Sequence, residues 1–125
     1  MDCLKFISEQ MALIEVPYEF GEWTSEITGP YFVGEKPSGE NYPAEDGSVE
    51  TTIFVTGFHR GKLVDLMKIA DKIRKHFNPV YGLRSKTDSG SIAVFFDCSF
   101  PIPTGEADLK KLQINLTIKE WKGVQ

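Results

Sequence analysis

The 125-residue chain has little of what several protein classes require. Its two cysteines are too few for a disulfide framework, and its two cysteines and two histidines lack the spacing of a zinc site. No apolar run approaches the roughly 20 residues of a membrane-spanning helix, and the N-terminus lacks the apolar stretch of a signal peptide. A net charge of −4 argues against a dedicated nucleic-acid-binding protein. We therefore expect no cofactor, metal, membrane or sequence-specific nucleic-acid partner, and a reducing intracellular setting.

The charges that are present are unevenly spread along the chain. Residues 1–56 carry a net charge of −9, whereas residues 57–125 carry +5. One interpretation is two ordinary solvated surfaces, because most exposed charges contribute little. The other is a subunit with an acidic side and a basic side, which suits head-to-tail contact between copies of the chain.

Hydrophobic periodicity predicts both helices and strands. Apolar residues recur at helical spacing over residues 2–13 and 62–77, and Asn78-Pro79 ends the second helix. Residues 85–90 are typical of a hairpin turn. Four strands are predicted from alternation or from β-favouring residues: 23–33, 49–58, 91–100 and 112–118.

This order of elements predicts the fold class. We expect a single α+β domain over residues 1–125, in which two helices pack on one face of a mainly antiparallel sheet. The polar, Gly- and Pro-rich residues 34–48 predict a long mobile loop. Residues 101–105 contain two prolines and predict a stiff connector outside any central strand.

Side chains that carry chemistry do not form a recognisable constellation in the sequence. His59 and His76 lack the companion residues of a metal or catalytic motif. Alternation predicts that Cys98 is a small core residue, whereas for Cys3 an exposed position stays open and no base is visible near it. The protein is therefore expected not to be an enzyme.

Two groups of segments resemble a family of small neck and tail proteins of long-tailed bacteriophages and prophages. One group comprises residues 31–35, 45–47 and 56–61. The other comprises residues 101–105, 109–116 and 118–121, and together the resemblance extends over nearly the whole chain.

The resemblance implies a tail-terminator-like, head–tail joining protein of the virion neck. Such proteins assemble in the bacterial host cytoplasm, form rings that are usually hexameric, cap the tail tube and present a surface to the head connector. The expected partners are therefore other copies of this chain, the tail-tube protein and head-connector proteins. Whether the role is that of terminator, adaptor or stopper stays open at the level of sequence.

A ring needs contact surfaces, and the sequence offers three candidates. A basic face around the second helix is one, and residues in the long loop are another. Trp121 is either a contact anchor or the edge of the core, because tryptophan is frequent in both places. The candidate interface residues are Arg60, Lys62, Lys68, Lys72, Lys75, Tyr42, Glu45, Asp46 and Trp121.

A different class of function is also compatible with this sequence. The alternative is a monomeric intracellular ligand-binding or regulatory α+β domain. It would require a well-formed apolar pocket with convergent polar groups, which the sequence does not announce.

Overall fold

The computed structural model describes residues 2–21, 29–36, 49–87 and 90–122. Two helices and six strands follow one another along these residues. Their bounds are α1 Asp2–Leu13, β1 Tyr18–Phe20, β2 Tyr31–Glu35, β3 Val49–His59, α2 Leu63–His76, β4 Leu83–Thr87, β5 Gly90–Ile102 and β6 Lys110–Lys122.

The six strands form one sheet in the order β1-β2-β3-β6-β5-β4. The β1–β2 pair is parallel, and the other four pairs are antiparallel. The protein is therefore an α+β domain with a mostly antiparallel sheet, as the sequence predicts. The two long strands β3 and β6 lie at the centre, paired from Val49 with Glu120 to His59 with Lys110.

The core forms on the face of the sheet that carries Ile53 and Val55, which we call the core face. Alternate residues of β3 and β6 point to it, since Ile53 pairs with Leu116 and Val55 with Ile114, and all four are fully or almost fully buried. Each such side chain contributes about 1.5–3 kcal/mol by leaving water. Both helices add side chains to this cluster: Cys3, Ile7 and Met11 from α1, and Leu66, Ala70 and Ile73 from α2.

A β-bulge in β5 changes which face its later residues occupy. Phe96 pairs with Leu116 on the core face, but the next register pair is Cys98 with Asn115, so Asp97 is an extra residue in the ladder. Cys98 therefore points to the opposite face and is exposed. The expectation that Cys98 lies in the core is wrong for this reason.

The expectation about the proline-containing segment 101–105 also needs correction. β5 continues to Ile102, and Pro101 pairs with Leu112, so the first two residues of the predicted connector belong to a strand. β4 covers β5 only as far as Val94. Beyond that point β5 is an edge of the sheet, where a residue without an N–H is tolerated.

The N-terminal strands differ from the expected ones in position. The sequence missed β1, which has only three residues, and β2 runs through Gly34 and Glu35, where a loop was expected. Residues 22–28 of the predicted strand and residues 37–48 of the predicted loop lie outside the described residues. Phe32 in β2 donates its N–H to the carbonyl of Pro17 at 2.8 Å, which joins the start of β1 to the sheet.

Candidate functional site

The predicted basic face lies on α2, opposite its buried side. Lys68, Lys72 and Lys75 are spaced by four and three residues, so they share one side of the helix, and all three are exposed. Lys62 is the N-cap residue of α2. At about 100° per residue its position around the helix axis falls outside the sector that the three lysines share. Three of the four predicted lysines are therefore brought together on one helix face.

One of the three clustered lysines already has an ionic partner. Lys75 Nζ lies 3.1 Å from Asp71 Oδ2, and Arg74 Nη2 lies 3.0 Å from Asp71 Oδ1. Hydrogen bonds from Lys75 and Arg74 lower the pKa of the Asp71 carboxyl from its ordinary value of 3.8. Within the described part of the chain, no ion pair joins Lys68 or Lys72 to an acid.

Arg60 contacts acidic residues of the same chain. Its Nη1 donates to Asp108 Oδ2 at 2.8 Å and lies 3.8 Å from Glu106 Oε2. Both acids lie in the connection between β5 and β6. Thr104 stabilises this connection, because its hydroxyl contacts Glu106 N at 3.1 Å and Leu109 O at 2.8 Å. Arg60 therefore fastens the end of β3 to this connection instead of adding to the α2 cluster.

Trp121 lies on the face of the sheet opposite the core, which we call the second face. It pairs with Ser91 in β5 and continues the alternation that places the odd-numbered residues of β6 on that side. The β6 residues in the core cluster, by contrast, are all even-numbered: Leu112, Ile114, Leu116 and Ile118. Trp121 is half-buried there. Its placement is compatible with a contact role, which stays a prediction.

The second face carries aromatic rings with cations beside them. Tyr31 and Phe58 stack with their ring centroids 5.2 Å apart, and Lys111 Nζ lies 5.6 Å from the Phe58 ring centre. At the other end, the Arg84 guanidinium lies 6.0 Å from the ring centre of Phe95. Cation–π contacts of this kind are worth about 0.5–1 kcal/mol at exposed sites. The sequence analysis did not name any of these residues as a candidate contact residue, although their alternate positions in the strands were an available signal.

A shallow hollow lies within this face. Its volume is about 320 Å³, and its walls combine the aromatic pair with polar side chains of the central strands. The lining residues are Tyr31, Val33, Glu35, Phe54, Thr56, Phe58, Lys111 and Gln113.

Polar side chains continue across the middle of the second face. Gln113 Nε2 donates to Asn115 Oδ1 at 2.9 Å, and Asn115 Nδ2 lies 3.5 Å from Cys98 Sγ. The face therefore offers hydrogen-bonding groups between its two aromatic ends. Such a mixture is typical of protein interfaces, in which aromatic and cationic anchors lie among polar groups.

A second hollow lies beside the start of α2. It measures about 460 Å³ and is bounded by Leu63 and by the connection over residues 101–111. Its walls are largely apolar, with Ile102 and Leu109 contributing from the two ends of the connection. This hollow is the larger of the two described.

Each of the two histidines contacts a polar side chain, and one thiol and one phenol are buried. His59 Nε2 lies 3.2 Å from Asp65 Oδ2, and His76 Nε2 lies 2.8 Å from Gln10 Oε1. Cys3, whose exposure the sequence left open, is fully buried. Burial, reinforced by Glu120, raises the pKa of the Cys3 thiol to about 11, and burial likewise raises the pKa of Tyr18 to about 12. Both groups are therefore protonated at neutral pH.

The remaining predicted site residues lie outside the described part of the chain. These are Tyr42, Glu45 and Asp46. In residues 2–21, 29–36, 49–87 and 90–122, no cluster of three or more His, Cys, Asp and Glu side chains is placed to hold a metal ion. In the same ranges, neither helix has the length and apolar character needed to cross a bilayer.

Comparison with known proteins gives no relationship from which a function can be taken. A scan against protein-family models finds no match to this chain, and a search of curated proteins finds no similar sequence.

Proposed function

We propose that the protein is a non-enzymatic virion assembly protein, a tail terminator that forms an oligomeric ring on the end of a phage tail tube. The single observation that carries this is the second face of the sheet. It combines stacked aromatic rings, neighbouring cations and hydrogen-bonding side chains, and its strand residues do not take part in the core cluster. Surfaces of this composition serve contact with other proteins.

We further infer that both helices pack on the core face, which leaves the second face for partners. Support comes from the core cluster, whose β3 and β6 residues all point to the core face by the strand register and which also includes residues of α1 and α2. The contact between Gln10 of α1 and His76 of α2 also supports it, since it joins the two helices to each other.

The proposed partners follow from this arrangement and from the resemblance stated above. Other copies of the chain form the ring, which we expect to be hexameric. The second face meets the tail-tube protein, and another surface of the ring meets head-connector proteins. The protein would then act in the host cytoplasm during assembly and remain in the virion neck.

Negative-stain imaging of the purified protein, with and without the tail-tube protein of the same virion, tests the proposal. We expect rings, or caps on the ends of short tubes. Free tubes that grow unchecked beside featureless monomers would contradict it.

One observation favours a second candidate, a monomeric ligand-binding or regulatory domain. The hollow of about 460 Å³ beside the start of α2 has largely apolar walls and a size within the range of small-molecule sites. On this alternative the protein stays monomeric at every concentration tested, and substitutions in the hollow change its ligand-dependent thermal stability. The imaging experiment separates the two candidates.

A further inference from the structure

The sheet of this protein ends in two unlike strands. β1 forms one outer edge and β4 the other. The two strands run in the same direction, because β1 is parallel to β2 and each of the other four pairings reverses direction. A second copy that continues the sheet without being inverted therefore places its β1 parallel to the β4 of the first.

The two edge strands carry opposite charges. β1 contains Glu19 and no base, and the exposed Glu15 lies just before it. β4 contains Arg84 and Lys86, both exposed, and no acid. Glu19, Arg84 and Lys86 all point to the second face by the strand register. A sheet that continued from one copy to the next would bring these charges onto the same side, with acid facing base.

Exposed apolar side chains also collect beside these two edges. Among the described residues, the large apolar side chains at least 40% exposed include Phe20 in β1, Leu13 at the end of α1, and Val80 and Tyr81 just before β4. Their exposed fractions are 40%, 70%, 72% and 74%. Exposed apolar side chains near a charged edge on both sides are the composition expected of a contact that excludes water at its centre.

The segment that exposes Val80 and Tyr81 is held in a defined shape. Asn78 Oδ1 accepts hydrogen bonds from the backbone N–H of Val80 at 2.8 Å and of Tyr81 at 2.9 Å. Gly82, with φ of 69°, donates its N–H to the carbonyl of Asn78 at 2.9 Å. A side chain held in a fixed turn loses less conformational entropy on binding than one on a loose segment.

We propose that the β4 edge of one copy pairs in parallel with the β1 edge of a second copy, so that the sheet continues from subunit to subunit. This inference rests on the proposed ring and names the contact that builds it. The occupant of each edge is a second copy because the charges and the exposed apolar side chains near the two edges match each other. Among the described residues no further strand lies outside β1 or β4, so pairing of backbone N–H and C=O groups across these edges adds hydrogen bonds.

Charge also decides the direction of association. If two copies met through their β4 edges, Arg84 and Lys86 of one copy would lie against Arg84 and Lys86 of the other. If they met through their β1 edges, Glu19 would lie against Glu19. Both contacts are unfavourable because like charges would lie directly opposite each other. The β4-to-β1 contact is heterologous, and a heterologous contact generates a ring when its rotation closes. The edge charges therefore favour a ring over a two-fold dimer.

Site-specific cross-linking tests this contact. All variants carry Cys98→Ser, so that no native exposed thiol takes part. A protein with Glu19→Cys is mixed with one carrying Arg84→Cys, and a short bismaleimide is added. The mixture is tested at high concentration without the tube protein and again in its presence. Within one chain the two positions are separated by five strand spacings, about 24 Å, so a short linker joins them only between chains.

We expect a cross-linked dimer in the mixed sample and none when either variant is treated alone. A chain that carries both substitutions should give a ladder of covalent oligomers. Arg84→Cys mixed with Ala107→Cys is the matched control, because Ala107 is exposed in the connection between β5 and β6. This control should give no product. Circular dichroism of each variant establishes that it is folded.

The outcomes separate this inference from the proposed function. Rings or caps without the mixed cross-link, or either variant linking to itself, would overturn the edge contact and leave the ring. The mixed cross-link without caps on tubes would support the edge contact and contradict the role in tails. If neither the mixed cross-link nor any ring or cap is observed, both the edge contact and the proposed function are contradicted.

Discussion

Gln10 and His76 join the two helices of this protein. Their side chains meet 2.8 Å apart, between Gln10 Oε1 and His76 Nε2, although 66 positions separate them in the chain. The T-shaped contact of His76 with Phe77, which is fully buried, places the imidazole at the rim of the core. Burial lowers the pKa of His76 below its ordinary value of 6.5.

We predict that His76 makes the protein less stable at acidic pH. Because its pKa is lower in the folded chain, the unfolded chain binds a proton more readily, so stability is lost as pH falls through the ordinary value of 6.5. Urea unfolding at about pH 7.5 and about pH 5.5 measures this loss. The variant His76→Gln retains a hydrogen-bonding group and does not titrate. It should lose less stability than the native protein over the same interval, and an equal loss would contradict the prediction.

Gly57 allows the Phe32 ring to pack against β3. A Cβ at position 57 would overlap the ring of Phe32, which is fully buried. We expect Gly57→Ala to lower the free energy of unfolding by about 1–3 kcal/mol, the usual cost of overpacking a core. Chemical denaturation measures the effect. Gly29→Ala is the matched control, since a Cβ there would meet nothing within 4 Å; equal effects of the two variants would contradict this account.

The two thiols should differ sharply in reactivity. Cys98 is exposed, whereas Cys3 is buried and its pKa is raised to about 11. In the native protein a thiol reagent at mildly alkaline pH should modify one cysteine, and Cys98→Ser should abolish that reaction. Cys3 should react only after unfolding. Rapid modification of Cys3 in the folded protein would show that α1 opens readily.

The α2 lysine cluster is predicted to take part in ring formation. Reversal of charge by Lys68→Glu, Lys72→Glu and Lys75→Glu together should weaken the ring and leave the fold intact, because all three side chains are exposed. Light scattering follows the oligomer, and circular dichroism follows the fold. Lys5→Glu on α1 is a control at a similarly exposed lysine. An unchanged oligomer in the triple variant would count against this face.

A substitution on the second face should separate tube binding from folding. Phe54 lines the hollow there and lies between Thr52 and Thr56 on the same face of β3, so Phe54→Thr suits the strand and removes an aromatic ring. We expect this variant to fold and to cap tubes poorly. Val64→Thr, at an exposed apolar residue of α2, should cap normally. Normal capping by Phe54→Thr would exclude this part of the face from the contact.

Much of the fold could be predicted because its longest elements have regular patterns. The sequence prediction for α1 matches the observed helix, and α2, β3 and β6 differ from prediction by a few residues at their ends. The pattern of buried residues in β3 alternates without a break from Thr51 to Gly57, so the period alone specifies its two faces. Elements of this kind depend on local sequence.

The features that were missed depend on contacts between distant residues. β1 has three residues, too few for a period, and it exists because it pairs with β2. The bulge at Asp97 is set by the pairing of β5 with β6, so alternation along β5 alone placed Cys98 on the wrong face. The aromatic and cationic contacts of the second face join separate strands, such as Lys111 with Phe58. No sequence motif marks these pairings.

The bulge in β5 has a consequence for how this gene can vary in length. Asp97 is the one position at which β5 has a residue without a partner in β6, and the pairing is in register on both sides of it. Loss of the Asp97 codon would leave Phe96 and Cys98 opposite the same partners as before. Loss of the codon for Val94 would instead move part of the strand by one place and turn its side chains to the other face. Natural and engineered single-codon deletions in β5 should therefore be tolerated at position 97 and lethal to folding only a few codons away.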